Sequence, residues 1–356
     1  MKNRIGYLMM ALIVCTGLVF GCGKVMEDSQ VIWDEKVETS EQLEIVCTTF
    51  AQYDWMRELL DGCDSQFELT LLVDKGVDLH SYQPAVADIA KISNADMVIY
   101  NGGESEQWVT ELVQGDNNKD IKVVNLIELL GDGIKEEELV EGMQEHEHGE
   151  HSHEEDEQES HEEHHDEAEE EHEEHHHEYD EHVWLSVKNV MHFVIELSQM
   201  LQEMNPSASE QIQVNEEAYV QKLQQLDYAY QQTVLEVIQP TLVFGDRFPF
   251  RYLMDDYEIT YFAAFPGCSA ETEASFETIT FLAGKVDEYQ LDAILVLENS
   301  EPSIAETIVK ITTAQNQEIL MLDSLQSVTR EQIDEGYTYL TAMKSNLEVI
   351  KRALKK

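Results

Sequence analysis

Basic side chains are scarce in this chain of 356 residues: 22 Lys and Arg stand against 73 Asp and Glu, for a formal net charge of −51 at pH 7. Nucleic acid is held by concentrated Lys and Arg that displace counterions, so this composition excludes it as a partner. Such a surface attracts cations instead and keeps away from anionic headgroups. Cysteine is also sparse, with five residues and no CxxC pair, which leaves a thiolate-rich zinc site with little support. Catalytic signatures such as GxSxG and a glycine-rich phosphate loop are missing. The apolar run from Tyr7 to Phe20 is too short to span a bilayer comfortably.

That run has the shape of a secretory leader, since Lys2 and Arg4 precede it and small Gly21 follows it. Leu18-Val19-Phe20-Gly21-Cys22 resembles a bacterial lipobox, in which the chain is cut before Cys22 and the thiol carries lipid. The alternative is an uncleaved anchor, which Gly21 fits less well than a cleavage site. Residues 1–21 are therefore expected to be a signal peptide and 22–43 a polar, lipidated tether. The mature protein is expected to be extracytoplasmic and bound to the bacterial cell membrane by lipid. With Cys15 lost and Cys22 lipidated, Cys47, Cys63 and Cys268 remain. Cys47 and Cys63 could bridge in an oxidising compartment, and spacing alone leaves that open.

What the chain has in excess is histidine among acids. From Glu145 to Glu181 it carries eleven histidines and twenty acidic residues with no Lys or Arg. The histidines are His146, His148, His151, His153, His161, His164, His165, His172, His175, His176 and His177. Imidazole is the commonest neutral zinc ligand, and His spaced one to four apart lets several side chains converge on one ion. The tract has too few apolar side chains to build a core. An acidic solvated linker is the plainer reading, but a linker needs no histidine.

Strand and helix patterns alternate on both sides of the tract. Runs at 44–50, 67–73, 96–100 and 122–126 read as strands, with helices at 54–60, 84–92 and 104–113 between them. After the tract, helical periodicity runs from Leu185 to Met204 and resumes from Ser207 to about Ile238, where Pro240 ends it. Runs at 241–244, 259–264, 293–297 and 318–322 read as a second set of strands, followed by a closing helix from about Thr329 to Ala353. Alternation of this kind predicts parallel sheets covered on both faces. The expected fold is α/β, with two lobes (44–205 and 240–356) joined by a long helix over 206–239.

In open parallel sheets, ligands bind beyond the carboxyl ends of the strands. His80, His182, Asp246 and Asp323 fall at such loops or at the entry to a following helix. Two imidazoles and two carboxylates suit zinc or a neighbouring metal. Taken singly, each of these four is as well explained as a cap or turn residue. His192, on a helical run, reads as an ordinary helix histidine. Cys268 could reach a metal as thiolate, although a small buried cysteine is the default. Glu271 and Glu273 suit a helix start regardless of function. Phe248, Phe250, Tyr252, Phe262 and Phe265 read as core and cleft wall.

Two long runs carry a resemblance. GVDLHSYQPAVADIAKISNADMVIYNGGESEQWV, and a His-rich loop leading into EHVWLSVKN, are similar to the ligand segments of solute-binding lipoproteins of zinc or manganese ABC importers, the cluster A-I or ZinT/TroA-like group. The similarity covers roughly residues 44 to 353. It implies two four-stranded lobes linked by a rigid helix, with the metal in the cleft between them, and it makes His80 and His182 a ligand pair. It places Asp323 at the final carboxylate, with Ser324 where the family usually has proline. At the third position zinc members usually have His and manganese members Glu. Here the alignment falls on Asp246 from the strand side or on Arg247, which cannot ligate, from the Tyr257 side.

The resemblance implies a binding protein and not an enzyme, one that captures zinc and delivers it to a permease driven by a cytoplasmic ATPase. A monomer is expected. The His-rich loop favours zinc, whereas two His with two carboxylates would also admit manganese or iron. The other classes are a passive surface zinc buffer or adhesin using the tract alone, and a metallohydrolase, which would need an open coordination position and a general base.

Overall fold

Leu43–Cys47 (β1) opens the first sheet, and a chain reversal follows at once. The Gln52 side chain accepts the backbone N–H groups of Thr48 (3.1 Å) and Thr49 (3.2 Å), so helix α1, Phe50–Leu59, starts inside the run expected to be strand. The first lobe continues through β2 (Phe67–Leu71), α2 (Val86–Asn94), β3 (Met97–Tyr100), α3 (Gln107–Val113), β4 (Lys122–Asn125) and α4 (Leu126–Leu130). The computed structural model describes residues 42–115, 121–144, 179–269 and 273–355. The leader, Cys22, the tether up to residue 41, Glu271 and the tract histidines from His146 to His177 lie outside the described residues.

Helix α5, Val187–Met204, shows why the chain coils here. Val187, Val190, Phe193, Val194, Leu197 and Leu201 fall on one buried stripe, and the Ser186 hydroxyl accepts the Asn189 N–H at 3.0 Å as N-cap. The linking helix α6, Ser209–Leu235, is 27 residues long, about 40 Å at ~1.5 Å per residue. It packs against α1 and α5 of the first lobe and against the closing helix of the second.

The second lobe comprises β5 (Thr241–Phe248), α7 (Arg251–Asp256), β6 (Thr260–Pro266), α8 (Phe276–Tyr289), β7 (Ala293–Leu297), α9 (Ser303–Ile311), β8 (Glu318–Leu322), α10 (Arg330–Asp334) and α11 (Tyr339–Leu354). The expected single closing helix is thus two. Gly336 takes a left-handed φ of 91°, and the Thr338 hydroxyl caps a new start by accepting the Thr341 N–H at 3.2 Å. Strand β5 runs past the expected end at Phe244. Phe244 pairs with Ala263 and Arg247 with Phe265, so the β5 strand carries an extra residue as a bulge.

Both sheets are fully parallel and share one permutation, β2-β1-β3-β4 and β6-β5-β7-β8. The outer face of each sheet has its own apolar cluster, around Val98 and Tyr100 in the first lobe and around Phe265 and Leu282 in the second. The inner faces merge into one. That single cluster includes Trp55, Phe193 and Trp184 from the first half of the chain and Phe244, Tyr339 and Met343 from the second. Polar ties cross it: Tyr339 N–H donates to Asp54 at 2.7 Å, Tyr339 O–H to the Trp184 carbonyl at 2.9 Å, and Trp184 Nε1–H to the Ser324 carbonyl at 2.9 Å. Cys47 and Cys63 are buried and unbridged. Among the described residues no helix is long and apolar enough to cross a membrane.

Strand ends at the cleft are tied by a buried carboxyl. Glu106 is fully buried and accepts the N–H groups of Asn101 (2.6 Å) and Gly102 (3.2 Å) just beyond β3. Burial pushes it up to about 7; hydrogen bonding from Thr48 opposes the shift and the charge of Glu181 adds to it. The protonated form is therefore favoured by folding, so this contribution is complete below about 4.5 and is lost as pH rises to about 7. Glu298 is also pushed to about 7 by burial and by Asp323.

Two outcomes are expected. Glu106→Gln keeps an acceptor for both N–H groups and should remove on the order of 3 kcal/mol of stability loss between pH 4.5 and 7, read from chemical melts with and without the substitution. Gly245→Ala should destabilise by about 1–3 kcal/mol in the same melts, because its Cβ would lie 2.8 Å from the Ala305 Cα on α9.

Candidate metal centre

Two histidines from distant parts of the chain meet at the cleft. His80 lies in a 3-10 turn, Leu79–Ser81, beyond β2, and the Asp78 side chain caps that turn by accepting the His80 N–H at 3.0 Å. His182 is fully buried at the start of the turn Val183–Leu185, where the chain enters α5. Their Nε2 atoms face each other at 3.2 Å. Each Nδ1 is engaged on its far side, His80 with Ser105 Oγ at 2.7 Å and His182 with Asp180 Oδ1 at 2.9 Å. Such partners fix ring orientation and leave Nε2 as the nitrogen that could ligate a metal.

The two rings differ in charge preference. Burial and the neighbouring His182 push His80 down to about 4, which keeps it neutral near pH 7. Burial acts to lower His182 as well, but the charge and hydrogen bond of Asp180 together with the charges of Glu181 and Glu137 outweigh it, and the net shift is upward. The opposed nitrogens are thus satisfied when His182 Nε2–H donates to neutral His80 Nε2. A divalent ion held by both Nε2 atoms would have to displace that proton.

The third member comes from the second lobe. Cys268 follows β6 in a Pro266-Gly267-Cys268 turn, and its Sγ lies with one nitrogen of each histidine so that all three atoms are within 4.8 Å of one another. One ion with bonds of ~2.0–2.3 Å would hold these atoms within about 4.4 Å of one another. The loop approaches closely because residue 267 is glycine: a Cβ there would stand 2.8 Å from His182 Cε1 and 3.0 Å from the Phe248 carbonyl oxygen. The Cys268 N–H donates to Glu137 Oε1 at 3.2 Å. Burial, with the nearby acids Glu137, Glu181 and Asp180, pushes the thiol well above its ordinary value while no cation is present.

Asp246 and Asp323 are occupied within their own lobe. Asp246, inside the β5 bulge, accepts the Leu297 N–H of β7 on Oδ2 at 3.0 Å and the Arg247 N–H on Oδ1 at 2.8 Å. Asp323 Oδ1 accepts the Leu325 N–H at 2.8 Å, and Oδ2 accepts the Tyr337 hydroxyl. Neither belongs to the three-residue group. Arg247 points across the cleft and pairs with Asp78 at 2.8 Å, so the residue that caps the His80 turn also carries an ion pair between the lobes. His192 lies on the exposed side of α5 with Nε2 3.2 Å from the Leu129 carbonyl, as expected of an ordinary helix histidine.

Several partners in the centre were hidden in sequence. Asp180 and Glu181 read as the end of the acidic tract, yet both are buried, and Tyr179 pairs with Glu136 across an antiparallel bridge. Glu181 accepts the Ser105 N–H at 2.8 Å and lies 3.8 Å from His80 Nδ1. It packs on Gly103, where a Cβ would come within 2.4 Å of its carboxylate and φ is +79°. Segment 135–144 leaves the first lobe and runs along the second: Tyr261 donates to Glu138 at 3.1 Å and Gln144 N–H to the Ala264 carbonyl at 3.0 Å.

Comparison with known proteins adds names to this geometry. The zinc-binding protein AdcA of Streptococcus pyogenes serotype M18 is 26% identical over 355 residues, covering 99% of this chain and 61% of that protein. The zinc-binding lipoprotein AdcA of Streptococcus pneumoniae strain R6 is 29% identical over 313 residues, covering 87% and 56%. The chain thus spans about six-tenths of the length of these relatives. The high-affinity zinc uptake system protein ZnuA of Bacillus subtilis is 26% identical over 343 residues and is covered at 96% in both directions. Among solved structures, the Zn(II)-bound ZnuA-like domain of pneumococcal AdcA superposes with a TM-score of 0.65 at 25% identity, covering 88% of this chain and 100% of that one. The periplasmic zinc-binding protein TroA of Treponema pallidum gives 0.65 at 20% identity over the same shares, a likeness of fold. The family model described as zinc-uptake complex component A, periplasmic (ZnuA), matches residues 45–353. Both lobes, His80, His182 and Cys268 lie inside that match, and the chain belongs to this family of zinc-uptake components.

Proposed function

We propose that this protein is an extracytoplasmic zinc receptor that captures the ion between its lobes and passes it to the permease of an ABC importer. The observation that carries the reading is the opposed pair of Nε2 atoms, each with its Nδ1 held from behind. Neutral imidazole is a preferred zinc ligand, and the cleft position matches where parallel sheets bind ligands. The family membership and the names of the relatives agree with this role. The protein acts by binding and release, as a monomer held to the membrane through lipid on Cys22. The His/acid tract serves as an auxiliary collector, because its closely spaced imidazoles among acids suit divalent metal. Asp246 and Asp323 are the carboxylates expected to ligate; each accepts two hydrogen bonds within the second lobe, and their substitution by Ala measures any direct share in binding.

Manganese or iron as cargo is the second reading within the family, favoured only if oxygen ligands dominate. A passive buffer or adhesin would depend on the tract alone.

Zinc titration against a chromophoric competitor separates these readings. Removing residues 145–178 should leave one tight zinc site, and His80→Ala or His182→Ala in that background should abolish it; survival of tight binding in the histidine variants would reject the cleft as receptor site. Asp180→Asn should weaken zinc at pH 7 by roughly 10–100-fold through loss of ring orientation. The protein's affinity should fall as pH drops below the raised pKa of His182, because a proton then competes for Nε2. A flat affinity through that range would contradict the proton displacement.

A further inference from the structure

We infer that Cys268 is the third zinc ligand of this centre and the residue that sets its preference for zinc over manganese. The inference rests on the receptor reading and assigns the sulfur its part in it.

Three features place the thiol there. Sγ of Cys268 lies within 4.8 Å of one ring nitrogen of His80 and one of His182, and Cys268 is the one residue of that group supplied by the second lobe. Gly267 lets its loop approach the His182 ring, where any side chain at that position would collide. Glu137, on the segment that crosses from the first lobe, holds the Cys268 backbone through its N–H. Meanwhile, Asp246 and Asp323 each accept two hydrogen bonds inside the second lobe, and Arg247 is paired with Asp78. Among the described residues, the side chain that the second lobe brings to the histidines is therefore sulfur.

The chemistry then decides selectivity. Thiolate is a soft ligand that suits zinc and its heavier neighbours, whereas manganese prefers carboxylate, carbonyl and water oxygens. Two imidazoles and one thiolate form a partial N₂S set of the kind zinc accepts, with the thiol proton released as the ion binds. A site built this way holds cadmium and cobalt well and manganese poorly. It does so without the third histidine that zinc members of the resembling family usually carry.

X-ray absorption on the full chain loaded with one equivalent of zinc tests this without any substitution. One sulfur per zinc at roughly 2.3 Å is expected, and the His/acid tract cannot supply it because it contains no cysteine. Cobalt(II) gives a second readout: a near-ultraviolet thiolate-to-cobalt charge-transfer band in the full chain that is absent from Cys268→Ser. In zinc–manganese competition, Cys268→Ser should lower the zinc preference by at least the roughly 10–100-fold that loss of an outer-shell partner costs. Zinc bound by nitrogen and oxygen alone, with binding still lost in His80→Ala and His182→Ala, overturns the assignment to Cys268 and leaves the receptor reading intact. Zinc binding indifferent to both histidine substitutions overturns the two together. If Cys268→Ser fails to fold, the absorption spectrum of the unaltered chain decides alone.

Discussion

The apolar layer between the two sheets is the constraint on which the rest depends. Each sheet buries its outer face in a private cluster, but the inner faces share one continuous core. Trp184 and Tyr339 lie in it and exchange hydrogen bonds with the opposite half of the chain. Burial of this kind is worth ~25 cal/mol per Å² of apolar surface, and separating the lobes would expose aromatic rings on both sides. The distance across the cleft is therefore set by packing, with α6 laid along helices of both lobes as a brace.

On that fixed frame, the centre is assembled from loops at the carboxyl ends of strands. The same permutation in both sheets puts the exits of β2 and β6 at the cleft, carrying His80 and Cys268. His182 arrives differently, on the short turn before α5. Asp78 joins these parts, since it caps the turn of His80 and pairs with Arg247 from the other lobe. Glycine is needed at two contacts, Gly103 beneath Glu181 and Gly267 beside His182, where a methyl group would push Glu181 or His182 out of place.

Much of the architecture was legible because periodicity and burial agree. β7 and β8 match their expected limits to the residue, and α5 differs only by the two residues of the preceding turn. Errors collected where local hydrogen bonding overrides hydrophobic pattern: Gln52 turns the chain early after β1, Asp246 props a bulge that lengthens β5, and Gly336 divides the closing helix. The histidine pair was legible through resemblance, not spacing, since 102 positions separate the two residues. Asp180 and Glu181 were illegible because nothing in composition separates a buried acid from the solvated acids beside it. The nearness of Cys268 to the two imidazoles was not legible, because a lone cysteine carries no such signal until folding brings His80 and His182 to it.

Trp184 carries a consequence of its own. Its indole is 2% exposed and sits 5.3 Å, ring centre to ring centre, from the His182 imidazole. An imidazolium quenches a neighbouring indole more strongly than a neutral ring does, and a coordinated imidazole perturbs it differently again. The emission of this one tryptophan therefore depends on what His182 holds, and the fold contains an intrinsic optical reporter on the state of its own cleft.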